Sequence, residues 1–257
     1  MAAPPVTSGY AFPGWDNLRK DIYPAISAAS TPSLKQSGKT VLITGGSRGI
    51  GRAIVLQYAH ADVACIIITA RGSSALDETE QEIHKINKNI RVLKFPLDVS
   101  DTAAVHKCAQ EVTEKEGRLD VLINNAATTD PWKPMAETKP EEWWATFESN
   151  IKGPYLFLNA FLPLLISTAE KHKVVTDVIN MSSIGAHVIM PGASAYQISK
   201  LALLRLSEFV EVEYAAKGVN VVSVHPGGVP TESALKEPSI APCKSFAFPF
   251  DSSGSVD

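Results

Sequence analysis

The chain has 257 residues, 45% of them hydrophobic, and a formal net charge of -3. That length can bury the core of one α/β domain, and the balance of charges leaves no basic stripe to hold nucleic acid. No apolar run reads as long enough to span a bilayer, the start lacks a leader pattern, and Cys65, Cys108 and Cys243 have neither metal-ligand nor paired spacing. The expectation is a cytoplasmic protein with no metal, nucleic acid or membrane among its partners.

Residues 1–38 carry Pro, Ser and Gly with scattered aromatics and read as an extended arm, with Trp15, Ile22 and Tyr23 as possible anchors. From Lys39 the texture changes. Apolar, β-branched runs at 39–44, 63–69, 90–97, 119–124, 174–181 and 219–224 alternate with helical stretches at 49–60, 74–88, 101–116, 141–169 and 195–217. Strands that are apolar throughout belong to a sheet covered on both faces. The pattern predicts an α/β fold of the Rossmann type, a doubly wound parallel sheet over residues 39–232, with ligands at the carboxyl ends of its strands.

The first strand runs directly into Thr44-Gly45-Gly46-Ser47-Arg48-Gly49-Ile50-Gly51 and then a helix. Glycines let the backbone come close to a ligand, and the helix start offers free N–H groups and a positive dipole end to a phosphate. A P-loop is excluded because no Lys-Ser/Thr pair follows. The second strand ends in Thr69-Ala70-Arg71, where an acidic residue would take the ribose 2′-hydroxyl of NAD. Arg71, with Arg48 in the glycine loop, offers positive charge for a 2′-phosphate instead, so the charge logic favours NADP(H).

Tyr196 and Lys200 are four residues apart at a helix start, which places them on one helix face. An ammonium beside a phenol is expected to lower its pKa and suit it to acid/base work, with a serine from 182–183 polarising a carbonyl at the same place. Alone, a Tyr-x-x-x-Lys pair is usually a surface coincidence. The helices at 151–166 and 198–214 have more apolar surface than one sheet face requires. Two readings stay open, a homodimer built through this pair or a broad one-sided core. His187, Met190, Trp132, Trp143 and Trp144 are candidates to border a substrate or simply to pack, and His225 reads as structural.

Taken together these residues resemble the short-chain dehydrogenase/reductase family in its ordinary ~250-residue form, over about 36–232. DIYPAI ahead of GKTVLITGG looks like fungal members. The resemblance implies that Thr44, Gly45, Gly49 and Gly51 form the coenzyme loop and that Asp98 and Val99 meet adenine. Asn124-Asn125-Ala126-Ala127 matches the family's NNAG with alanine last, which brings Asn125 and Ala126 beside the coenzyme. It further implies Asn150 as support for a water-linked proton path, Ser183 (thirteen residues before Tyr196) as the catalytic serine, Tyr196 as proton donor and Lys200 as ribose ligand. Pro226, Gly227, Val229 and Thr231, in PGGVPT, match the turn that cradles nicotinamide.

After Thr231 the sequence departs from the family. Residues 233–257 form a short atypical tail with one strand-like piece at 245–248, halted by Pro249, and no visible helix. The expectation is a sheet without the usual last edge strand, an open substrate pocket, and a dimer rather than a tetramer. The implied function is an NADPH-dependent reductase interconverting a carbonyl and an alcohol through Asn150, Ser183, Tyr196 and Lys200. The alternatives are a nucleotide-binding protein with little turnover and a non-redox role.

Overall fold

The computed structural model describes residues 22–129, 131–227, 229 and 231. Six strands alternate with six helices: β1 Thr40–Thr44, α1 Gly49–His60, β2 Cys65–Ala70, α2 Ser73–Ile86, β3 Arg91–Pro96, α3 Thr102–Lys115, β4 Val121–Asn124, α4 Pro140–Phe147, α5 Gly153–His172, β5 Thr176–Met181, α6 Ser194–Tyr214 and β6 Val219–Val224. All pairings are parallel, in the order β3-β2-β1-β4-β5-β6. This is the expected doubly wound sheet. Its order reverses between β1 and β4, and the crevice at a reversal is where such sheets bind ligands.

Strand composition follows position in the sheet. β1 and β4 lie at the centre and are buried at every residue, while β3 and β6, at the ends of the described sheet, are exposed at several positions. Successive side chains point to opposite faces. Leu42, Ile67, Leu122 and Val178 therefore meet Phe157, Phe161 and Leu165 of α5 on one face, whereas Val41, Ile43, Ile66, Ile68 and Ile123 meet Val55, Leu76 and Ile83 of α1 and α2 on the other. Each such side chain, fully removed from water, stabilises the fold by about 1.5–3 kcal/mol.

The helix expected over 141–169 is divided. α4 and α5 are joined by a π-helical turn, Glu148–Lys152, with Asn150 fully buried at its middle. Periodicity cannot show a one-residue insertion of this kind, and π-turns concentrate at functional sites. The whole helical run Pro140–His172 is also long and apolar enough, by length and composition, to cross a membrane, contrary to the expectation that no run would be. Much of the run is buried in the core, including Leu156, Phe157, Leu158, Phe161 and Leu165.

Of the N-terminal arm, residues 22–38 are described, and Trp15 lies outside them. Ile22 stays half exposed. The arm is fastened nearer the domain, where the Gln36 N–H donates to Ala61 O (2.7 Å), Lys35 Nζ to His60 O (2.7 Å) and Ser37 Oγ to Asp62 Oδ2 (2.9 Å). The tail at 232–257, with the strand-like piece and the missing edge strand assigned to it, lies outside the described residues.

At the end of the sheet away from the crevice, Asp120 is a buried carboxylate. It accepts from the Thr40 N–H (2.8 Å) and from Arg118 Nε and Nη2 (2.7 and 2.8 Å), while its own carbonyl accepts from the Asp177 N–H (2.8 Å). One residue thus joins the starts of β1, β4 and β5. Replacing it leaves a buried amide and a guanidinium without their acceptor, so Asp120→Ala is expected to lower stability by about 2–4 kcal/mol, read from urea denaturation midpoints.

Candidate active site

The glycine loop turns between β1 and α1. Gly45 and Gly49 have φ of +66° and +54°, the left-handed region that side chains resist. A Cβ on Gly51 would collide with the Gly45 carbonyl, so no larger residue fits at the first turn of α1. Arg48 is the extended N-cap and supplies no side-chain cap to the helix. Ser47 and Ile50 are partly buried beside it. The first amides of α1 thus have no side-chain acceptor from their N-cap, the arrangement that suits a phosphate.

Thr44 and Asn125 hold this loop open rather than facing outward. Thr44 Oγ1 accepts from the N–H groups of Asn125 (2.9 Å) and Ala126 (3.0 Å) and donates to Ile123 O (3.3 Å). Asn125 Nδ2 in turn donates to Thr44 O (2.9 Å) and Gly45 O (3.3 Å). Ala126 packs within 3.1 Å of the position a Gly45 Cβ would take, while Ala127, where the family has glycine, is exposed.

The remaining cofactor candidates line the same edge of the sheet. Arg71 is exposed after β2, and its charge helps to lower the Asp98 pKa, behind the larger effect of hydrogen bonds from Ser100. Val99 presses on Gly153, where a Cβ would come within 2.9 Å of it, and so touches the helix that follows the Asn150 turn. Beyond β6 come Pro226 and Gly227, the latter at φ +88°, and Val229, which accepts from the Thr231 N–H (2.8 Å). Thr231 Cγ2 is 3.4 Å from the position of a Gly49 Cβ, so the last motif closes over the glycine loop. Gly228 and Pro230 lie outside the described residues.

Where β5 ends and α6 begins, Ser183, Tyr196 and Lys200 come together. Ser183 stands beside Tyr196, near enough for its side chain to act on the tyrosine pKa, and its Oγ accepts from the Gly185 N–H (3.0 Å). Lys200 Nζ is 5.6 Å from the centre of the Tyr196 ring and donates to Met181 O (2.7 Å). Ser182, the other serine of the pair, donates to Lys200 O (3.2 Å), which leaves Ser183 as the one facing the tyrosine.

The electrostatics differ from expectation. Burial raises the Tyr196 pKa above its usual 10.0, with the Ser183 hydrogen bond offsetting part of the rise. Burial also depresses Lys200, to about 8. The lysine turns its nitrogen toward a backbone carbonyl, and desolvation of the phenol outweighs any lowering by its charge.

Asn150 is held through its side chain by two neighbouring elements. Its Oδ1 accepts from the Thr128 N–H (2.9 Å), and its Nδ2 donates to Thr128 O (2.9 Å) and Ser199 Oγ (3.0 Å). Both N–H groups are used, so the side chain braces the site. Ser199, whose role no motif marks, donates onward to Tyr196 O (2.7 Å). Asn124, first residue of the NNAG match, joins Asn180 and Ser207, which no motif marks. Asn124 Nδ2 donates to Asn180 Oδ1 and Asn180 Nδ2 to Ser207 Oγ, both at 2.8 Å, tying β4, β5 and α6 beneath the site. Polar residues at the ends of otherwise apolar strands were the signal available for this network.

Comparison with known proteins agrees with this geometry. The sequence model described as short chain dehydrogenase matches residues 39–239. Short chain dehydrogenase mpl6 of Monascus purpureus is 45% identical over 244 residues, covering 93% of this chain and 79% of the relative. Short chain dehydrogenase tazN of Aspergillus terreus is 39% identical over 216 residues, covering 84% of this chain and 46% of the relative. Among solved structures, a metagenomic short-chain oxidoreductase in complex with NADP is 33% identical with a TM-score of 0.68, covering 74% of this chain and 83% of that one. On its sheet, its glycine loop and this match over most of its length, the chain belongs to the short-chain dehydrogenase family.

Proposed function

We propose that this chain is an NADP(H)-dependent reductase that interconverts a carbonyl and an alcohol, acting in the cytoplasm as a homodimer. The observation that carries the reading is the gathering of Ser183, Tyr196 and Lys200 where β5 ends and α6 begins, with Lys200 Nζ 5.6 Å from the tyrosine ring. Two hydroxyls converge where one carbonyl oxygen would accept from both.

The first turn of α1 with Gly45, Gly49 and Gly51 would hold the cofactor phosphates, Asp98 and Val99 the adenine, and Pro226 to Thr231 the nicotinamide end. Arg48 and Arg71, both exposed on this edge without an acid after β2, would take a 2′-phosphate. When bound, a nicotinamide cofactor supplies the hydride. Tyr196 donates its proton to the developing alkoxide, which its raised pKa keeps available at neutral pH. Ser183 donates to the same oxygen as negative charge grows there. Lys200 offsets the charge left on the tyrosinate. Asn150, through Ser199 and Thr128, fixes the helix that carries both. The free, buried state of Cys65 and Cys108 supports a reducing compartment.

The dimer is supported by a stripe on α6. Ile198, Leu201, Phe209 and Val212 recur at helical spacing and stay exposed, Val212 at 86%, and Trp144 and Tyr155 of α4 and α5 are exposed as well. A hollow of about 410 Å³ between His187, Leu201, Arg205 and Glu208 lies on this face and would seat side chains from a second copy.

The direct test follows NADPH and NADH consumption by absorbance against a panel of aldehydes and ketones. Wild-type protein is expected to turn over with NADPH preferred, and Tyr196→Phe to lose turnover while keeping NADPH affinity within about threefold. Tight NADPH binding without turnover on any carbonyl would favour a nucleotide-binding role instead. In the reduction direction kcat/KM is expected to fall as pH rises through about 8, where Lys200 loses its charge. The same depressed lysine keeps its proton in the unfolded chain up to 10.5, so its contribution to stability rises with pH between about 8 and 10.5. Denaturation midpoints across that window, compared with Lys200→Met, read this sign. Finally, Leu201→Asp places a charge on the α6 stripe and is expected to shift the protein to monomer by sedimentation velocity.

A further inference from the structure

The helix that carries Tyr196 starts without the support that helix starts ordinarily have. α6 begins at Ser194, Ala193 before it offers no side-chain cap, and the first turn holds no acidic residue for the dipole. The neighbouring helix α4 is the opposite case. It has Pro140 at its first position, Glu141 and Glu142 in its first turn, and Lys139 Nζ donating to Glu142 Oε1 (2.9 Å). A helix start that lacks a cap depends on tertiary contacts to stay closed. Tyr196 lies within that first turn, so the placing of its phenol depends on whatever fixes Ser194.

Trp143 of α4 reaches that residue. Its indole Nε1 donates to Ser194 Oγ (3.0 Å), and an indole can only donate, so the serine hydroxyl is the acceptor. The ring is itself held in place. It stacks on Phe147, with centres 4.7 Å apart and planes 22° from parallel, and meets Trp144 edge-on at 5.0 Å. A second brace from the same helical run engages α6 beyond the tyrosine, where Asn150 Nδ2 donates to Ser199 Oγ and Ser199 to Tyr196 O. Tyr196 therefore stands between two braces, Trp143 before it and Asn150 after it. Lys200 is secured separately, by its bond to Met181 O.

We propose that Trp143 is a positioning residue for the reaction, whose indole N–H stands in for the missing cap, holds the first turn of α6 through Ser194 and so fixes the Tyr196 hydroxyl relative to substrate. This rests on the reductase reading above. Misplacing a reacting group by about 1 Å can cost about a hundredfold in rate, and loosening one brace of two costs less, about fivefold. The burial that keeps the tyrosine protonated also needs this turn closed. The glycine loop and the turn after β6 belong to other elements, so cofactor affinity does not depend on the contact.

The test uses the full chain with Trp143→Phe, which keeps a ring against Phe147 and loses the donor, and Ser194→Ala, which loses the acceptor. A single turnover with NADPH and a ketone that the wild type reduces is followed by absorbance. Its rate constant is expected to fall about fivefold in each variant and no further in the double variant. Ser194→Thr, which keeps the hydroxyl, is expected to stay within about twofold of wild type. A merely structural loss of folded protein would lower the amplitude and leave the rate constant where it was. KM and NADPH affinity are expected to stay within about twofold throughout. Hydrogen exchange at the Gln197 amide, which donates to Ala193 O across the first turn, is expected to quicken about fivefold in both single variants. An unchanged rate constant in Ser194→Ala would overturn the proposal, as would losses that multiply to about twenty-five-fold in the double variant. Absence of turnover in wild type would remove the reductase reading instead. The Gln197 exchange would then still decide whether Trp143 holds the turn, unchanged exchange in both variants meaning that it does not.

Discussion

The site depends on how the carboxyl ends of β1 and β4 are kept together without closing the crevice between them. Thr44 and Asn125 do this with five hydrogen bonds, Thr44 taking the N–H groups after β4 and Asn125 giving its amide to the carbonyls after β1. The Thr44 hydroxyl and both Asn125 amide N–H groups are used in these bonds. Their work is to hold the glycine loop away from the sheet so that the start of α1 faces an open edge. The collision that any Cβ at Gly51 would make with Gly45 shows how tightly the turn is drawn.

A second constraint fixes the chemistry on the other side of the crevice. α6 presents Tyr196 and Lys200 on one face, and residues between and beside them secure it to everything around. Ser199 ties it to the π-turn through Asn150, Ser182 ties it to the end of β5, and Gln197 ties it to the loop before it. Because these partners lie on different elements, the tyrosine is placed by several bonds of modest individual strength. A network of this kind positions a reacting group more closely than any one bond could.

Much of this was legible along the chain. Apolar runs alternating with helices identified the six strands to within a few residues, since strands buried on both faces cannot hide their composition. The glycine loop and the pairing of Tyr196 with Lys200 were legible because each depends on local spacing. The π-turn around Asn150 was not, because one inserted residue leaves the hydrophobic period nearly intact. The direction of the tyrosine shift was also out of reach. It depends on how deeply the phenol is buried and on where the lysine points, and neither is a property of neighbours in sequence.

The sequence by itself determined the class of fold, the place of the glycine turn and the pairing of Tyr196 with Lys200 on one helix, because periodicity and backbone freedom are local. Tertiary structure decided which serine meets Tyr196, what Asn150 does with its amide, and how the loop between Ser183 and Tyr196 is held. Those are questions of which hydrogen-bonding groups, distant in sequence, are buried together and must satisfy one another. Lys200 shows the division most clearly. Its spacing from Tyr196 is written in the chain, but its complete enclosure, and with it a pKa brought down to about 8, exists only once β5 and α6 have closed around it.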